Sequence, residues 1–134
     1  MPEEPKTKLR ARDVMVRDLH YIDGMATAEE AAEMMRHNKT DTLLVTKRHP
    51  DDAVGMVAVQ DLIKKVVLTE RSPLAVNVYE VMTKPVISVP ANMDVRYVVR
   101  LMSRADIRRA PVEENGEYIG LVSFTELIMG KFIF

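Results

Sequence analysis

The sequence contains no cysteine, so disulfide bonds, thiolate chemistry and cysteine-based metal sites are excluded. Its three histidines are scattered without an i, i+4 pair, which argues against a metal site. No apolar run approaches the roughly 20 residues that cross a bilayer, so no membrane partner is expected. The N-terminal segment also lacks the apolar stretch of a secretory signal. We therefore expect a cytoplasmic protein that requires no metal or other cofactor.

Neither sign of charge dominates, because 19 lysines and arginines face 20 aspartates and glutamates. Nucleic-acid binding proteins usually carry a basic surface, so no nucleic-acid partner is expected. No Ser/His/Asp or Cys/His constellation and no phosphate-binding glycine loop occurs, so the sequence does not predict an enzyme. Residues 1–8 are polar and charged, and we predict that they form a disordered lead-in.

The sequence is an internal repeat. A shift of 67 residues places Val14-Met15 on Val81-Met82, and beyond residue 50 a shift of 65 places Gly55 on Gly120. The predicted divisions are repeat 1 at 9–67, a connector at 68–77 and repeat 2 at 78–130. A repeat of about 60 residues buries little surface alone. We therefore predict that the two repeats pack as one pseudo-twofold module.

Each repeat has the pattern of a strand, a helix, two strands and a second helix, preceded by a short lead-in helix. Thr27 and Glu30 form a capping box at the first helix, and Asp94 is the equivalent cap in repeat 2. Asn115-Gly116 predicts a tight hairpin turn. The second helices should start near Asp61 and Glu126. The predicted strands are 19–22, 42–46 and 53–59, then 85–89, 110–113 and 118–124. The fold class is therefore α/β (α+β), with two βαββα repeats.

Two copies of this order, with VMTKPVISVP, RRAPV and GLVSFTEL in repeat 2, resemble the cystathionine-β-synthase (CBS) domain pair, also called a Bateman module. The resemblance covers roughly residues 9–130. Repeat 1 departs from the pattern at DLHYID and TLLV, which lack the usual prolines. Family members are typically regulatory and bind adenosine-containing ligands in clefts between the repeats. Many of them form flat homodimers.

The resemblance implies a phosphate-binding group in repeat 2. Ser123 and Thr125 occupy the family's hydroxyl positions, where amides at a helix N-terminus also attract anions. Glu126 stands where the family has a ribose-binding aspartate, and its side chain is one methylene longer. Arg108 and Arg109 match a position of basic phosphate contacts. The alternative is that the hydroxyls only cap a helix, that Glu126 is an ordinary first-turn acid and that the arginines are surface charges.

Repeat 1 carries the complementary residues. Asp61 matches the ribose carboxylate, although it too could be an ordinary first-turn acid, but Ala58 and Gln60 replace both hydroxyls. Asp41 stands where Arg108 stands in repeat 2, so its carboxylate would repel a phosphate. The resemblance places the adenine end of the phosphate-binding cleft near four residues of repeat 1: Ile22, Thr27, Thr40 and Asp41.

The sequence thus predicts a stand-alone regulatory module that binds AMP, ADP or ATP, with S-adenosylmethionine or NADH as weaker candidates. It would form a homodimer and signal in trans to a protein target that the sequence does not identify. The alternative is a ligand-free dimerising scaffold that keeps the fold, which the substitutions at Ala58, Gln60 and Glu126 favour.

Overall fold

The computed structural model describes residues 8–134, so nearly all of the predicted lead-in at 1–8 lies outside the described residues. The chain divides into two compact units. Unit 1 combines residues 8–19 with residues 87–134, and unit 2 comprises residues 20–86. The units thus differ from the predicted repeats, because the first segment of each repeat belongs to the unit that the other repeat mainly builds.

Unit 2 has a three-stranded sheet in the order β1-β2-β3, with β1 and β2 parallel and β2 and β3 antiparallel. Its elements are β1 (Tyr21–Ile22), α2 (Ala28–Asn38), β2 (Thr42–Val45), β3 (Gly55–Ala58) and α3 (Val59–Leu62). A π-helical turn over Ile63–Val67 extends α3, and a 3₁₀ turn over Val78–Glu80 precedes the crossing into unit 1.

Unit 1 repeats this topology with the order β4-β5-β6. Its elements are α1 (Ala11–Val14), β4 (Val89–Pro90), α4 (Val95–Arg104), β5 (Arg109–Glu114), β6 (Glu117–Ser123) and α5 (Phe124–Met129). The predicted mixed class with two βαββα repeats is therefore confirmed. Asn115 and Gly116 both have positive φ, at 53° and 82°, as the tight turn between β5 and β6 requires.

Apolar residues recur at i, i+3, i+4 and i+7 in both long helices, and this spacing predicts one buried face on each: Ala28, Ala31, Ala32 and Met35 in α2, and Val95, Val98, Val99 and Met102 in α4. Ala28, Ala31 and Met35 are buried in α2, and Val98 and Met102 are buried in α4. These side chains pack on the sheet of their own unit, and each unit has its own hydrophobic core. A 3.6-residue apolar period therefore identified the buried face of both helices.

The first strand of each repeat is shorter than the sequence predicts, since β1 and β4 each have two residues. The predicted strands 19–22 and 85–89 both cross a boundary between units. The amide of Val86, for example, donates to the carbonyl of Val54 at 2.9 Å within unit 2, so Val86 does not extend β4. The helices α3 and α5 start two residues earlier than predicted, at Val59 and Phe124.

The lead-in segments dock against a glycine in the third strand of each unit, Gly55 in β3 and Gly120 in β6. In unit 1, Val16 and Leu121 exchange two backbone hydrogen bonds of 2.8 Å, and a Cβ on Gly120 would lie 2.9 Å from the carbonyl oxygen of Val16. In unit 2, Met56 and Thr83 exchange bonds of 2.9 and 2.8 Å beside Gly55. The repeated Val-Met and glycine motifs are thus two sides of one contact.

Candidate functional site

Three of the predicted phosphate-binding residues meet at one edge of the sheet in unit 1. β5 begins at Arg109, which lies directly opposite Ser123 at the end of β6. The amide of Phe124 donates to the carbonyl of Arg108 at 2.9 Å, which fixes the start of α5 beside the start of β5. Directly opposed residues have Cα atoms about 4.5–5.5 Å apart. The sheet register therefore places Arg109 beside Ser123, with the backbone carbonyl of Arg108 at the same end of the sheet.

Ser123 caps α5. Its Oγ accepts a hydrogen bond from the amide of Glu126 at 3.1 Å, so this serine caps the helix, and its role as a phosphate ligand stays a prediction. The cap uses the hydroxyl only as an acceptor, and the O–H remains a donor. Thr125 and Glu126 are exposed on the first turn. The junction between β6 and α5 therefore presents polar side chains toward solvent.

The amides at the start of α5 offer fewer free donors for an anion than the sequence suggested. α5 has only six residues. The amide of Phe124 bonds to Arg108, and the amide of Glu126 bonds to Ser123. Two of the first three amides of α5 are thus engaged inside unit 1. An anion at this junction would depend mainly on side chains.

Unit 2 has the same backbone geometry at the corresponding edge. Thr42 lies opposite Ala58, and the amide of Val59 donates to the carbonyl of Asp41 at 3.0 Å. Asp61 supplies the cap here, because its Oδ2 accepts from the amide of Ala58 at 2.8 Å. Its Oδ1 lies 3.8 Å from Nζ of Lys65. The carboxylate that resembles a ribose ligand is thus part of the turn.

Two of the residues assigned to the adenine end hold unit 2 together. Ile22 is buried in the core, where β1 pairs with β2. Thr27 and Glu30 form the predicted capping box, with Oγ1 accepting from the Glu30 amide at 3.1 Å and Oε1 accepting from the Thr27 amide at 2.9 Å. Contact of these residues with adenine stays a prediction.

Thr40 and Asp41 also make local hydrogen bonds. The Thr40 hydroxyl donates to the carbonyl of Thr42 at 3.1 Å and accepts from its amide at 3.3 Å. Oδ1 of Asp41 accepts from the Thr42 hydroxyl at 2.9 Å. These bonds shape the turn before β2 and place a carboxylate where unit 1 has an arginine. A ligand role for either side chain stays a prediction.

The strongest electrostatic features lie outside these junctions. Arg96 donates to the carboxylate of Asp94 from its side chain at 3.1 and 3.2 Å and from its amide at 2.9 Å. These bonds lower the pKa of Asp94 to about 2. Lys84 contacts both carboxylate oxygens of Asp52, at 2.7 and 2.8 Å. That contact, with the amide of Arg48, holds the Asp52 pKa well below its ordinary range.

A cavity in unit 2 was not predicted from the sequence. It is lined in part by Met25, Tyr79 and Met82, and its volume is about 540 Å³. The sequence feature that could have predicted it is the β-α-β pattern, because ligands of α/β sheets bind at the carboxyl ends of the parallel strands. Residues 8–134 contain no group of three or more acidic or histidine side chains placed to hold a metal ion. Over the same residues, no helix is long and apolar enough to span a bilayer.

Comparison with known proteins agrees with this architecture. The CBS domain model matches residues 11–68 and 78–130. An uncharacterized protein of Methanopyrus kandleri is 32% identical over 87% of the chain, and the chain spans 59% of that relative's length. An uncharacterized protein of Bacillus subtilis is 26% identical, over 91% of the chain and 82% of the relative.

A solved structure is similar along most of the chain. The hexameric CBS-CP12 protein from bloom-forming cyanobacteria superposes with a TM-score of 0.87 and 34% identity, covering 92% of this chain and 68% of the other. The duplicated element order, the paired lead-in contacts and the two matched segments point to one family. The chain belongs to the CBS-domain family and contains a tandem pair of CBS domains.

Proposed function

We propose that the chain is a regulatory module that binds an adenosine-containing nucleotide, with the phosphate held at the junction of β5, β6 and α5 in unit 1. The observation that carries the proposal is the register that sets Arg109 opposite Ser123. Phosphate recognition uses cations and hydroxyl donors, and hydrogen bonds to charged groups are stronger than neutral ones. AMP, ADP and ATP are the leading ligands, ahead of S-adenosylmethionine and NADH.

The corresponding junction of unit 2 supports the assignment by contrast. Ala58 offers no hydroxyl, and Asp61 caps the turn with a carboxylate. Asp41 and Asp61 place two negative charges at that end of the sheet, which disfavours a phosphate. We therefore infer that the junction around Ser123 is the phosphate-binding one of the two.

The test is isothermal titration of the full chain with AMP, ADP and ATP. Ser123→Ala should weaken binding about tenfold or more, as expected when one hydrogen bond to a charged group is lost. Gln60→Ala is the matched control at the other junction, and it should leave the affinity unchanged. A ligand at 100 times its Kd should also stabilise the fold by about 2.7 kcal/mol.

Two results would reject the assignment. No heat and no thermal stabilisation with any of the three nucleotides at millimolar concentration would reject nucleotide binding. Equal losses from Ser123→Ala and Gln60→Ala would reject unit 1 as the phosphate site. Because Ser123 also caps α5, the unfolding free energy of both variants must be measured, and the comparison made where both are folded.

A dimerising or scaffold role is the second candidate, and signalling in trans requires such a surface. Ile63 and Ile128 are equivalent positions on the last helix of each repeat, and they expose 46% and 47% of their surface. Val59 and Val67 extend the apolar stripe in unit 2. Exposed apolar stripes of this kind mark association surfaces. A similar protein, the cyanobacterial CBS-CP12 protein, is described as hexameric.

Light scattering after size exclusion tests this role. The wild-type chain should be a homodimer or larger, and Ile63→Glu with Ile128→Glu should produce a monomer. Leu74→Glu is the matched control, because Leu74 is an exposed apolar residue of the connector. A wild-type monomer at high micromolar concentration, or an oligomer unaffected by the double variant, would contradict association through these helices.

A further inference from the structure

The carboxyl ends of the parallel strands in unit 2 open onto the cavity of about 540 Å³. Asp23 follows β1, Thr46 follows β2, and both line the cavity. In α/β sheets, ligands bind in a crevice outside the carboxyl ends of the parallel strands. Small-molecule sites typically measure about 300–1,000 Å³. The position and size both suit a small organic ligand.

The walls of the cavity are mainly apolar and deformable. Met25 and Tyr79 are exposed large side chains that line it, and Val45 and Met82 contribute deeper surface. Thioether sulfurs make favourable contacts with aromatic rings, and a tyrosine ring stacks on flat groups. Such a lining fits an aromatic ring better than a branched or strongly polar molecule.

Two cations line the same cavity. Lys84 and Arg48 share the carboxylate of Asp52, which lies 2.7 Å from Nζ of Lys84 and 3.5 Å from Nε of Arg48. The Asp52 side chain is only 10% exposed, whereas that of Arg48 is 78% exposed. A guanidinium carries five N–H donors in a planar fork that matches a carboxylate. Arg48 can therefore turn donors toward an anionic group while Asp52 stays behind it.

Unit 1 differs at the corresponding edge. The counterpart of Tyr79 is Arg12, which forms an ion pair of 2.8 Å with Glu114. The counterpart of Met25 is Asn92, whose carbonyl accepts from Nη1 of Arg10 at 2.6 Å. A cavity of about 410 Å³ does lie near Asn92. Its lining includes neither Met15 nor Val112, the counterparts of Met82 and Val45. The cavity of unit 2 therefore depends on side chains that unit 1 does not have at the equivalent positions.

We propose that this cavity binds a small aromatic molecule that carries one carboxylate, with the ring between Met25 and Tyr79 and the carboxylate on Arg48. The site is distinct from the junction of β2 and β3 within the same unit. Thr42 and Ala58 mark that junction, and Val45 at the other end of β2 lies three residue steps from Thr42. At about 3.3 Å per residue, the two ends are roughly 10 Å apart. The proposal does not depend on nucleotide binding in unit 1.

Methyl NMR of the full chain labelled at methionine tests the proposal. Indole-3-acetate is the probe, indole is the matched neutral ring, and acetate is the matched anion. Indole-3-acetate should shift the methyl signals of Met25 and Met82 in a saturable way, and the signal of Met102, buried in unit 1, should stay in place. The affinity for indole-3-acetate should exceed that for indole about tenfold, as expected for one hydrogen bond between charged groups.

Variants locate the ring and the carboxylate separately. Arg48→Gln should weaken indole-3-acetate about tenfold and leave indole unchanged, whereas Tyr79→Ala should weaken both. Tyr97→Ala is the matched control, because Tyr97 is a 54% exposed tyrosine of unit 1 and Tyr79 is 50% exposed. It should change neither affinity.

Several outcomes would overturn the proposal. The absence of a saturable shift at Met25 and Met82 with millimolar probe would show that the cavity takes no such ligand. Equal binding of indole and indole-3-acetate would remove the carboxylate from the ligand class. Displacement of the probe by AMP, with shifts at the same methyl groups, would assign the cavity to a nucleotide instead.

Discussion

The two strand-to-helix junctions have the same backbone and opposite capping chemistry. In unit 1 the hydroxyl of Ser123 accepts from the amide of Glu126, whereas in unit 2 the carboxylate of Asp61 accepts from the amide of Ala58. Each turn thus obtains one oxygen acceptor, from its first residue in one case and from its fourth in the other. The residue differences between the two junctions therefore have a structural explanation, helix capping, that does not involve a ligand.

This difference bears directly on anion binding. A hydroxyl that caps a helix keeps its proton for donation, so the Ser123 junction can still bind a phosphate. A carboxylate that caps a turn has no proton to donate near neutral pH and adds negative charge. The capping choice at Asp61 thus disfavours a phosphate in unit 2, independently of the missing hydroxyls at Ala58 and Gln60.

The largest expected difference between the units is the stability lost when the glycine that contacts each lead-in segment is replaced by alanine. A Cβ on Gly120 would lie 2.4 Å from Sδ of Met15 and 2.9 Å from the carbonyl oxygen of Val16. The methionine side chain can move, but the backbone carbonyl cannot without breaking its bridge. We expect Gly120→Ala to lower the free energy of unfolding by about 2–3 kcal/mol, the upper part of the range for overpacking.

Gly55→Ala should cost less, about 1 kcal/mol, as a milder case of the same overpacking. Its Cβ would lie 2.8 Å from Sδ of Met82 but 3.3 Å from the carbonyl oxygen of Thr83. Gly24→Ala is the control, because its Cβ would meet Tyr79 and Val45 at an ordinary 3.5 Å. Urea unfolding of the three variants gives the comparison. A smaller loss at Gly120 than at Gly55 would contradict the tighter lead-in contact in unit 1.

A smaller, pH-dependent effect separates the caps of the long helices. Asp94 caps α4 in unit 1, and the Thr27 hydroxyl at the same position of α2 does not titrate. The side-chain and backbone hydrogen bonds from Arg96 lower the Asp94 pKa from 3.8 to about 2 in the folded chain. Its stabilisation is therefore complete above the unfolded value and is lost as the pH falls toward the folded one.

Asp94→Asn keeps a capping side chain and removes the charge. The variant should be less stable than the wild type at neutral pH, and the two should converge as the pH falls from about 4 to about 2, the interval between the two pKa values. Urea unfolding across this interval measures the difference. A constant difference between the two proteins at all pH values would show that the charge of Asp94 contributes nothing.

Much of the fold follows from local patterns in the sequence. The duplication, the apolar stripes of α2 and α4, the Thr27 capping box and the Asn115-Gly116 turn were all predicted and are all present. Each depends on residues close together along the chain. The sequence also assigned Arg109 and Ser123 to one group, and the register of one hairpin sets these two residues opposite each other. Phosphate binding by this group stays a prediction.

Other features depend on contacts distant in sequence. Val16 pairs with Leu121, more than 100 residues away, and no local sequence pattern predicts such a contact. The sequence therefore could not show which segments make up each unit. The cavity of unit 2 joins Met25 to Tyr79 in the same way. The capping role of Asp61 was missed because the start of α3 was predicted two residues too late.

The segments that make up each unit determine the order in which the two units can fold during synthesis. Unit 2 is complete once residue 86 has left the ribosome, whereas residues 8–19, made before unit 2, belong to unit 1 and lack their partners until residues 87–134 follow. At about 5–20 residues per second, that wait lasts seconds. A segment that is synthesised before unit 2 therefore folds after it. A chain cut in the 68–77 connector would leave each half without the lead-in that bridges its third strand.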